Sequence, residues 1–287
     1  MATKSLAKLK AEMTFNADLT RLVDVMKGVA TSQYFVMEHK RTSLEKYGAA
    51  LDELFNFYDF RNVEHPYVQM RNEKKLVIMV ATDSGFLGGL NMKVMTAGLQ
   101  LESEDTKLAV LGERGSNYLK EMGKKFDAFP GISPDDSRFE LQDKLIQHIL
   151  KCVWEDNVGR VIMACPRAVS FTSQKIEVLN LIPCPMFYKD KPDELPDPVK
   201  TAKNFILESA PEGIIEYLTF FWLRKRLTQI FEEAKLAEFG ARTMHLEESY
   251  NTLKNLDKQL KLQFFKARRE KIDQSLRETF TSQLVCK

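Results

Sequence analysis

The residues with the clearest capacity for chemistry are those of the loop Thr82-Asp83-Ser84-Gly85-Phe86-Leu87-Gly88-Gly89-Leu90-Asn91. A strand that ends in a glycine turn and opens a helix points backbone N–H groups and the positive end of a helix dipole at one spot, which is how phosphates are held. The spacing argues against that use here. It is neither G-x-G-x-x-G nor a P-loop with its Gly-Lys-Ser/Thr, and no acidic residue stands about 20 positions on at the end of a second strand. Gly85, Gly88 and Gly89 therefore read as structural glycines of a tight turn, and no nucleotide cofactor is expected. Ser84 precedes the glycine instead of lying between two, so there is no nucleophile elbow. His39, His65, His148 and His245 are dispersed without H-E-x-x-H, and Cys152, Cys165, Cys184 and Cys286 lack any C-x-x-C pair. Neither set implies a metal, and the scattered thiols fit a reducing compartment. Lys254, Lys258, Lys261, Lys266, Arg268, Arg269 and Lys271 form a basic stretch diluted by Asp257, Glu270 and Asp273. A solvated helix face explains it first, a docking site for acidic protein loops second and nucleic acid last.

The elements that carry these residues follow from periodicity. Leu9, Met13, Leu19, Leu22, Met26, Ala30, Tyr34, Met37, Leu44, Leu51, Leu54 and Tyr58 run at the alternating three-and-four spacing of a coiled-coil seam, and no proline precedes Pro66. This predicts one helix from about Ser5 to Phe60. After His65-Pro66-Tyr67 the texture changes. Lys74–Thr82 reads as a buried strand, Leu90–Leu101 as a helix, Lys107–Leu111 as a strand and Glu113–Met122 as a helix. Asp127–Pro130 is a short extended piece, Ser137–Trp154 a helix and Val161–Cys165 a strand. Val169–Phe171 and Lys175–Leu181 read as a hairpin-like pair. That alternation predicts a small sheet with helices on its faces, an α/β class.

Tyr188–Pro198 carries three prolines and reads as a linker. No proline follows Pro211, and a second long helix is expected from Glu212 to about Gln283. It carries two seams, Ile230, Ala234, Ala237, Ala241, Met244 and then Leu246, Tyr250, Leu253, Leu260, Phe264, with a stutter between them. The expected organisation is a coiled-coil helix over 1–62, an α/β domain over 70–188, a linker or insertion over 189–211 and a coiled-coil helix over 212–287. Both long helices adjoin one domain, so they should pair antiparallel. Hydrophobic content of 44%, charged content of 29% and a net charge of only +2 describe a folded chain with no global demand for nucleic acid or an anionic membrane. No apolar run is long enough to span a bilayer, so any membrane attachment should be indirect.

Three blocks resemble the gamma subunit of F-type rotary ATPases. The loop Thr82–Asn91 is similar to that family's Gly-Leu-Cys-Gly-Gly-Leu-Asn signature, with Phe86 and Leu87 in place of leucine and cysteine. Met26-Lys27-Gly28-Val29-Ala30-Thr31-Ser32 resembles its M-K-x-V-A-A-S, followed by His65-Pro66-Tyr67. In the C-terminal helix Glu238, Ala241 and Arg242 fit E-x-x-A-R-M, and Lys266-Ala267-Arg268 with Ile272, Gln274, Leu276 and Glu278 fit N-K-A-R-Q-x-x-I-T-Q-E-L-x-E. Thr243, Phe265, Arg269, Asp273 and Ser275 depart from that pattern, and Asn204–Gly213 looks like an insertion. The resemblance covers nearly the whole chain, in order. It implies a long antiparallel coiled coil around a Rossmann-like α/β domain, acting as a non-catalytic central rotor shaft. The implied partners are alternating catalytic and non-catalytic nucleotide-binding subunits, an epsilon-type subunit and an ion-carrying membrane ring, with the chain peripheral on the cytoplasmic face of an energy-transducing membrane. Met26, Lys27, Lys266, Arg268, Arg269 and Asp273 are the implied partner contacts. A shaft of a specialised second rotary ATPase, or a coiled-coil scaffold outside any rotary machine, stays open.

Overall fold

A computed structural model of the chain describes residues 5–54, 63–133, 135–187 and 210–285, with side chains described throughout except at 40–54 and 282–285. The elements in order are α1 (Leu6–Leu54), β1 (Lys75–Val80), α2 (Leu90–Leu99), β2 (Thr106–Leu111), α3 (Glu113–Glu121), β3 (Asp127–Phe129), α4 (Ser137–Trp154), β4 (Arg160–Ala168), β5 (Gln174–Ile182), a short 3-10 turn (Pro185–Phe187) and α5 (Pro211–Val285). The expected linker Tyr188–Pro198, and the insertion up to Ser209, lie outside the described residues. Pro211, Glu212 and Gly213 form the first turn of α5, where proline's fixed φ and missing N–H are tolerated.

Two units divide the chain: residues 1–31 with 243–287, and residues 32–242. In the first, α1 and α5 run antiparallel. Lys27 Nζ meets Glu247 Oε2 at 3.0 Å, while earlier in α1 Asn16 Nδ2 donates to the carbonyl of Leu253 at 3.1 Å, later in α5. Along α1 the buried positions are Leu9, Asn16, Val23, Ala30, Tyr34 and Met37. From Leu9 to Ala30 that is a heptad seam, and Tyr34 and Met37 continue it in steps of four and three; Leu9, Ala30, Tyr34 and Met37 are where the apolar spacing puts them, whereas Asn16 and Val23 are seam positions that it did not include. Leu22, assigned inward by its spacing from Leu19 and Met26, is 56% exposed. A polar residue occupies the true seam at Asn16, so the apolar pattern drifts by one position there. On α5 the seam Leu246, Tyr250, Leu253, Leu260, Phe264 is buried or half-buried. Met244 in the preceding seam is instead exposed. The stutter has a simple origin: α5 stays α-helical throughout, and Leu236–Ala241 are all buried, so the helix uses both seam phases at once over that stretch.

Asn16 is buried, and its Oδ1 has no hydrogen-bond partner among the described residues. A lone polar residue in a heptad seam costs stability and fixes register. Asn16→Val is therefore expected to stabilise the helix pair by about 1 kcal/mol, by removing an orphaned acceptor, while letting alternative registers form. Thermal melts read the first effect. The second appears as disulfide crosslinking between Lys27→Cys and more than one position around Glu247.

The second unit is built on a five-stranded sheet in the order β3-β2-β1-β4-β5. β1 pairs parallel with β2 and β4, β3 parallel with β2, and β5 antiparallel with β4. The hairpin is thus β4 with β5. Val169–Phe171, expected as its first strand, forms the turn, where Val169 N donates to Ser173 O at 3.0 Å. Both faces of the sheet are covered, which is why β1 is apolar without a break from Leu76 to Val80. Leu76, Ile78 and Val80 pack toward α4 and α5 with Leu145, Ile149, Leu223 and Leu227. Val77, Met79 and Ala81 face α2 and α3 with Val94, Met95 and Leu119.

Candidate functional site

The glycine loop sits at the C-terminal end of β1, where open α/β sheets place their ligands. Its left-handed residues are Phe86 (φ 62°), Gly88 (φ 55°) and Gly89 (φ 86°). Gly88 and Gly89 need glycine for that reason. Gly85 does not: a Cβ there would meet only Arg114 Nη2, at 3.5 Å. Thr82 Oγ1 donates to the carbonyl of Ser84 at 3.0 Å and accepts from Asn91 Nδ2 at 3.0 Å, tying the strand end to the first turn of α2.

Two features fill the surroundings of the loop. Asp83 Oδ1 accepts the N–H of Glu113 at 2.7 Å, at the start of α3, and the N–H of Gly131 at 3.2 Å. The protein's own carboxylate therefore fills the anion position of that helix. In addition, Leu87 and Leu90 pack with Ala241 of α5 and Ile176 of β5 into an apolar plug. The loop supports the long helix. Removing the Asp83 carboxylate orphans two donors, so Asp83→Ala is expected to cost about 1–2 kcal/mol in chemical denaturation. It should also leave ATP unbound in a calorimetric titration of the isolated chain, because the plug and the missing P-loop lysine remain.

Among the described residues the thiols offer no nucleophile. Cys152, Cys165 and Cys184 are buried, and burial pushes Cys152 up to about 11 and Cys165 and Cys184 up to about 12. Cys286 lies outside the described residues. Among the described residues no cluster of His, Cys, Asp and Glu could hold a metal ion, and no helix is long and apolar enough to cross a membrane.

The six expected contact residues fall into two groups. Met26 and Lys27 are half-buried in the helix pair. Lys27 bonds Glu247 at 3.0 Å and Asp24 at 3.2 Å and stands 4.4 Å over the Tyr250 ring. The hydrogen bond to Glu247, joined by Asp24, raises its pKa above the ordinary lysine value. Its charge is largely engaged within the chain. Lys266, Arg268, Arg269 and Asp273 are exposed and lie on α5 roughly 28 Å or more beyond Glu247, at about 1.5 Å per residue. Among the described residues no ion pair joins Arg269 to Asp273. Glu238 is buried and self-satisfied, with Lys235 Nζ at 2.7 Å and Arg242 Nη2 at 2.5 Å. The E-x-x-A-R residues thus hold α5 together while Ala241 seats the loop.

Sequence reasoning missed the most distinctive surface. From Arg268 to Thr281 every side chain of α5 is exposed. Phe265, Ile272, Leu276 and Phe280 are each at least half exposed. At about 100° per residue they fall within an arc of roughly 80°, with Arg269 inside it and Arg268 and Lys266 on its two sides. The pattern was readable, but it looks like the seam continued and so hides that no helix among the described residues covers it.

A family model described as ATP synthase matches residues 5–282. The ATP synthase gamma chain of Actinobacillus succinogenes is 22% identical over 281 residues, 94% of this chain and 96% of that one. Among solved structures, a chain from the mitochondrial ATP synthase of Euglena gracilis (OSCP/F1/c-ring, rotational state 3) superposes with a TM-score of 0.74 at 15% identity, covering 98% of this chain and 94% of that one. A second, from the rotor of the same organism's enzyme, gives 0.68 at 15% identity over 93% and 98%. With paired terminal helices, a plugged α/β sheet and a family match over nearly its whole length, the chain belongs to the ATP synthase family, as one of its gamma chains.

Proposed function

We propose that this chain is the shaft by which rotation in an ATP synthase is passed to the nucleotide sites of other subunits, and that it has no active site of its own. The observation that carries this reading is the overhanging end of α5. An apolar stripe in water is unfavourable and marks a surface built to be covered. A helix of 75 residues, about 110 Å long, whose last turns expose such a stripe, is suited to insertion into a socket of partner subunits. In this reading the socket is the head of alternating catalytic and non-catalytic subunits. The α/β domain faces an epsilon-type subunit and the ion-carrying ring, and the chain is peripheral at the cytoplasmic face of an energy-transducing membrane. Each angular position of an asymmetric rod makes different contacts with each site around it, and that difference in contact energy shifts which site is open.

Head subunits assembled with and without this chain test the reading: coupled turnover should appear only with it. Arg268→Ala should assemble normally and lower ATP turnover several-fold, and Arg269→Gln with Asp273→Thr should lower it less. If Arg269 and Asp273 act only as an exposed helical pair, worth about 0.3–0.5 kcal/mol, their double substitution changes nothing. Full activity and coupling in Arg268→Ala would remove that arginine from the mechanism.

A further inference from the structure

The His65-Pro66-Tyr67 turn joins the end of α4, the end of β5 and the root of α5 at one point. The carbonyl of His65 accepts the N–H of Val68 at 2.9 Å, and the carbonyl of Tyr67 accepts the N–H of Cys184, just past β5, at 2.8 Å. Tyr67 Oη accepts the indole N–H of Trp154, the last residue of α4, at 2.6 Å. Tyr67 and Val68 belong to the core that Ile215, Leu218 and Trp222 of α5 share. His65 itself is 4% exposed, its ring 4.8 Å from that of Tyr67 and 5.6 Å from that of Trp154.

The imidazole is held in one tautomer. Its Nδ1 accepts the N–H of Tyr67 at 3.3 Å, and a backbone N–H can only donate, so the neutral ring carries its proton on Nε2. Nε2 is buried and has no hydrogen-bond partner among the described residues. Glu216 Oε1 stands 3.9 Å from it, too far for a hydrogen bond. A further proton must therefore enter at Nδ1, the atom that closes the turn. Protonated Nδ1 and the Tyr67 N–H are both donors, so their bond is lost. The imidazolium gains attraction to Glu216, whose side chain is 55% exposed and free to swing toward it.

The surroundings keep the ring neutral until the solution is acid. Burial, the largest influence, holds His65 below the ordinary histidine value; Glu216 opposes it, Arg71 adds to it and Glu212 opposes it. Tyr67 and Cys184, both pushed up to about 12 by burial, stay neutral over this range, and α4 presents the uncharged Trp154. Folded, His65 binds fewer protons than unfolded, so its contribution to stability is complete above about pH 6.5 and declines below it.

We propose that the His65-Pro66-Tyr67 turn is an acid-sensitive latch: a proton taken from solvent at His65 Nδ1 breaks its bond to the Tyr67 N–H, draws the ring toward Glu216 and loosens the seat of the first turns of α5. Nitrogen NMR of the histidine-labelled chain and hydrogen exchange resolved to single amides test it. Both use the isolated full-length chain, so the outcome does not depend on the shaft function. Neutral His65 should carry its proton on Nε2 and titrate below about pH 6.5. The protection factor of the Tyr67 amide should fall about ten-fold from about pH 7.5 to about pH 5, while the amides of Val77, Ile78 and Met79 in β1 keep theirs. His65→Asn retains an acceptor in place of Nδ1 but takes up no proton, and should abolish that fall. Glu216→Gln, at an exposed site, should lower the His65 titration by roughly half a pH unit, and gives an answer even where His65→Asn does not fold. A neutral ring protonated on Nδ1, Tyr67 protection independent of pH, or a titration that Glu216→Gln leaves unmoved overturns the latch. A loss of protection that β1 shares does so too, because the turn would then open only with the whole unit. An undiminished fall in His65→Asn assigns the effect to another group and equally overturns it.

Discussion

Aspartate at Ile272 and Leu276 together is expected to abolish assembly of this chain with its head while leaving the isolated protein folded. Both side chains are about half exposed in the chain alone, so the substitutions remove no internal packing, and surface changes of this kind fall within about 0.5 kcal/mol. In a socket the account is different. Covering two aliphatic side chains contributes about 1.5–3 kcal/mol each, and burying a carboxylate without a partner adds a further penalty. A loss of about 3 kcal/mol or more corresponds to an association weaker by at least about 100-fold. Circular dichroism and melting of the purified variant should match the parent, while its recovery in complexes with head subunits should collapse. Normal recovery with normal turnover would show that the stripe faces water in the working complex. The basic residues around it would then be the solvated face that their composition first suggests.

The largest effect on stability is expected at Gly112. It joins β2 to α3 with φ 92°, a conformation that non-glycine residues adopt only under strain. A Cβ at this position would also stand 2.7 Å from the backbone nitrogen of Thr82 and 2.8 Å from the carbonyl carbon and oxygen of Ala81. These atoms follow the central strand β1, which is hydrogen-bonded on both sides, so they cannot move aside locally. Gly112→Ala should therefore cost about 3 kcal/mol or more. For a chain of this size that lowers the melting temperature by roughly 6–12 °C. Gly123 supplies the control: φ is 67° and nothing lies within 4 Å of its Cβ position, so Gly123→Ala should cost only the backbone strain, about 1 kcal/mol. Equal costs at the two positions would mean that close approach of β1 does not limit Gly112.

Most of the architecture was readable because its signals are local. Leu76–Val80 is a continuous apolar run, as expected of a strand covered on both faces. Ser137–Trp154 has helical periodicity, and its predicted bounds coincide with those of α4. Long helices without proline announce themselves. The hairpin was misplaced because Val169 and Phe171 have strand propensity, yet the chain reverses there and the antiparallel register runs Ala168 against Gln174. The N-terminal seam was misread at Leu22 because a buried asparagine does not signal a core position. At the candidate site, sequence motifs argued against a nucleotide cradle, but what packs against the loop was not legible. The hydrogen bonds of Asp83 to Glu113 and Gly131 span 30 and 48 residues, and the contact of Leu87 with Ala241 is longer still. The exposed stripe on α5 was hidden for a different reason: it is defined by where the partner helix ends, which no property of residues 265–280 records.

Direct observation of rotation tests the shaft function most plainly. A bead attached through a cysteine at Lys120, an exposed position on α3, with the head subunits fixed to a surface, reports the motion of this chain during ATP hydrolysis. The account predicts unidirectional rotation of the bead that requires ATP and stops in complexes carrying aspartate at Ile272 and Leu276. Sustained hydrolysis by the fixed complex with the bead stationary would contradict it.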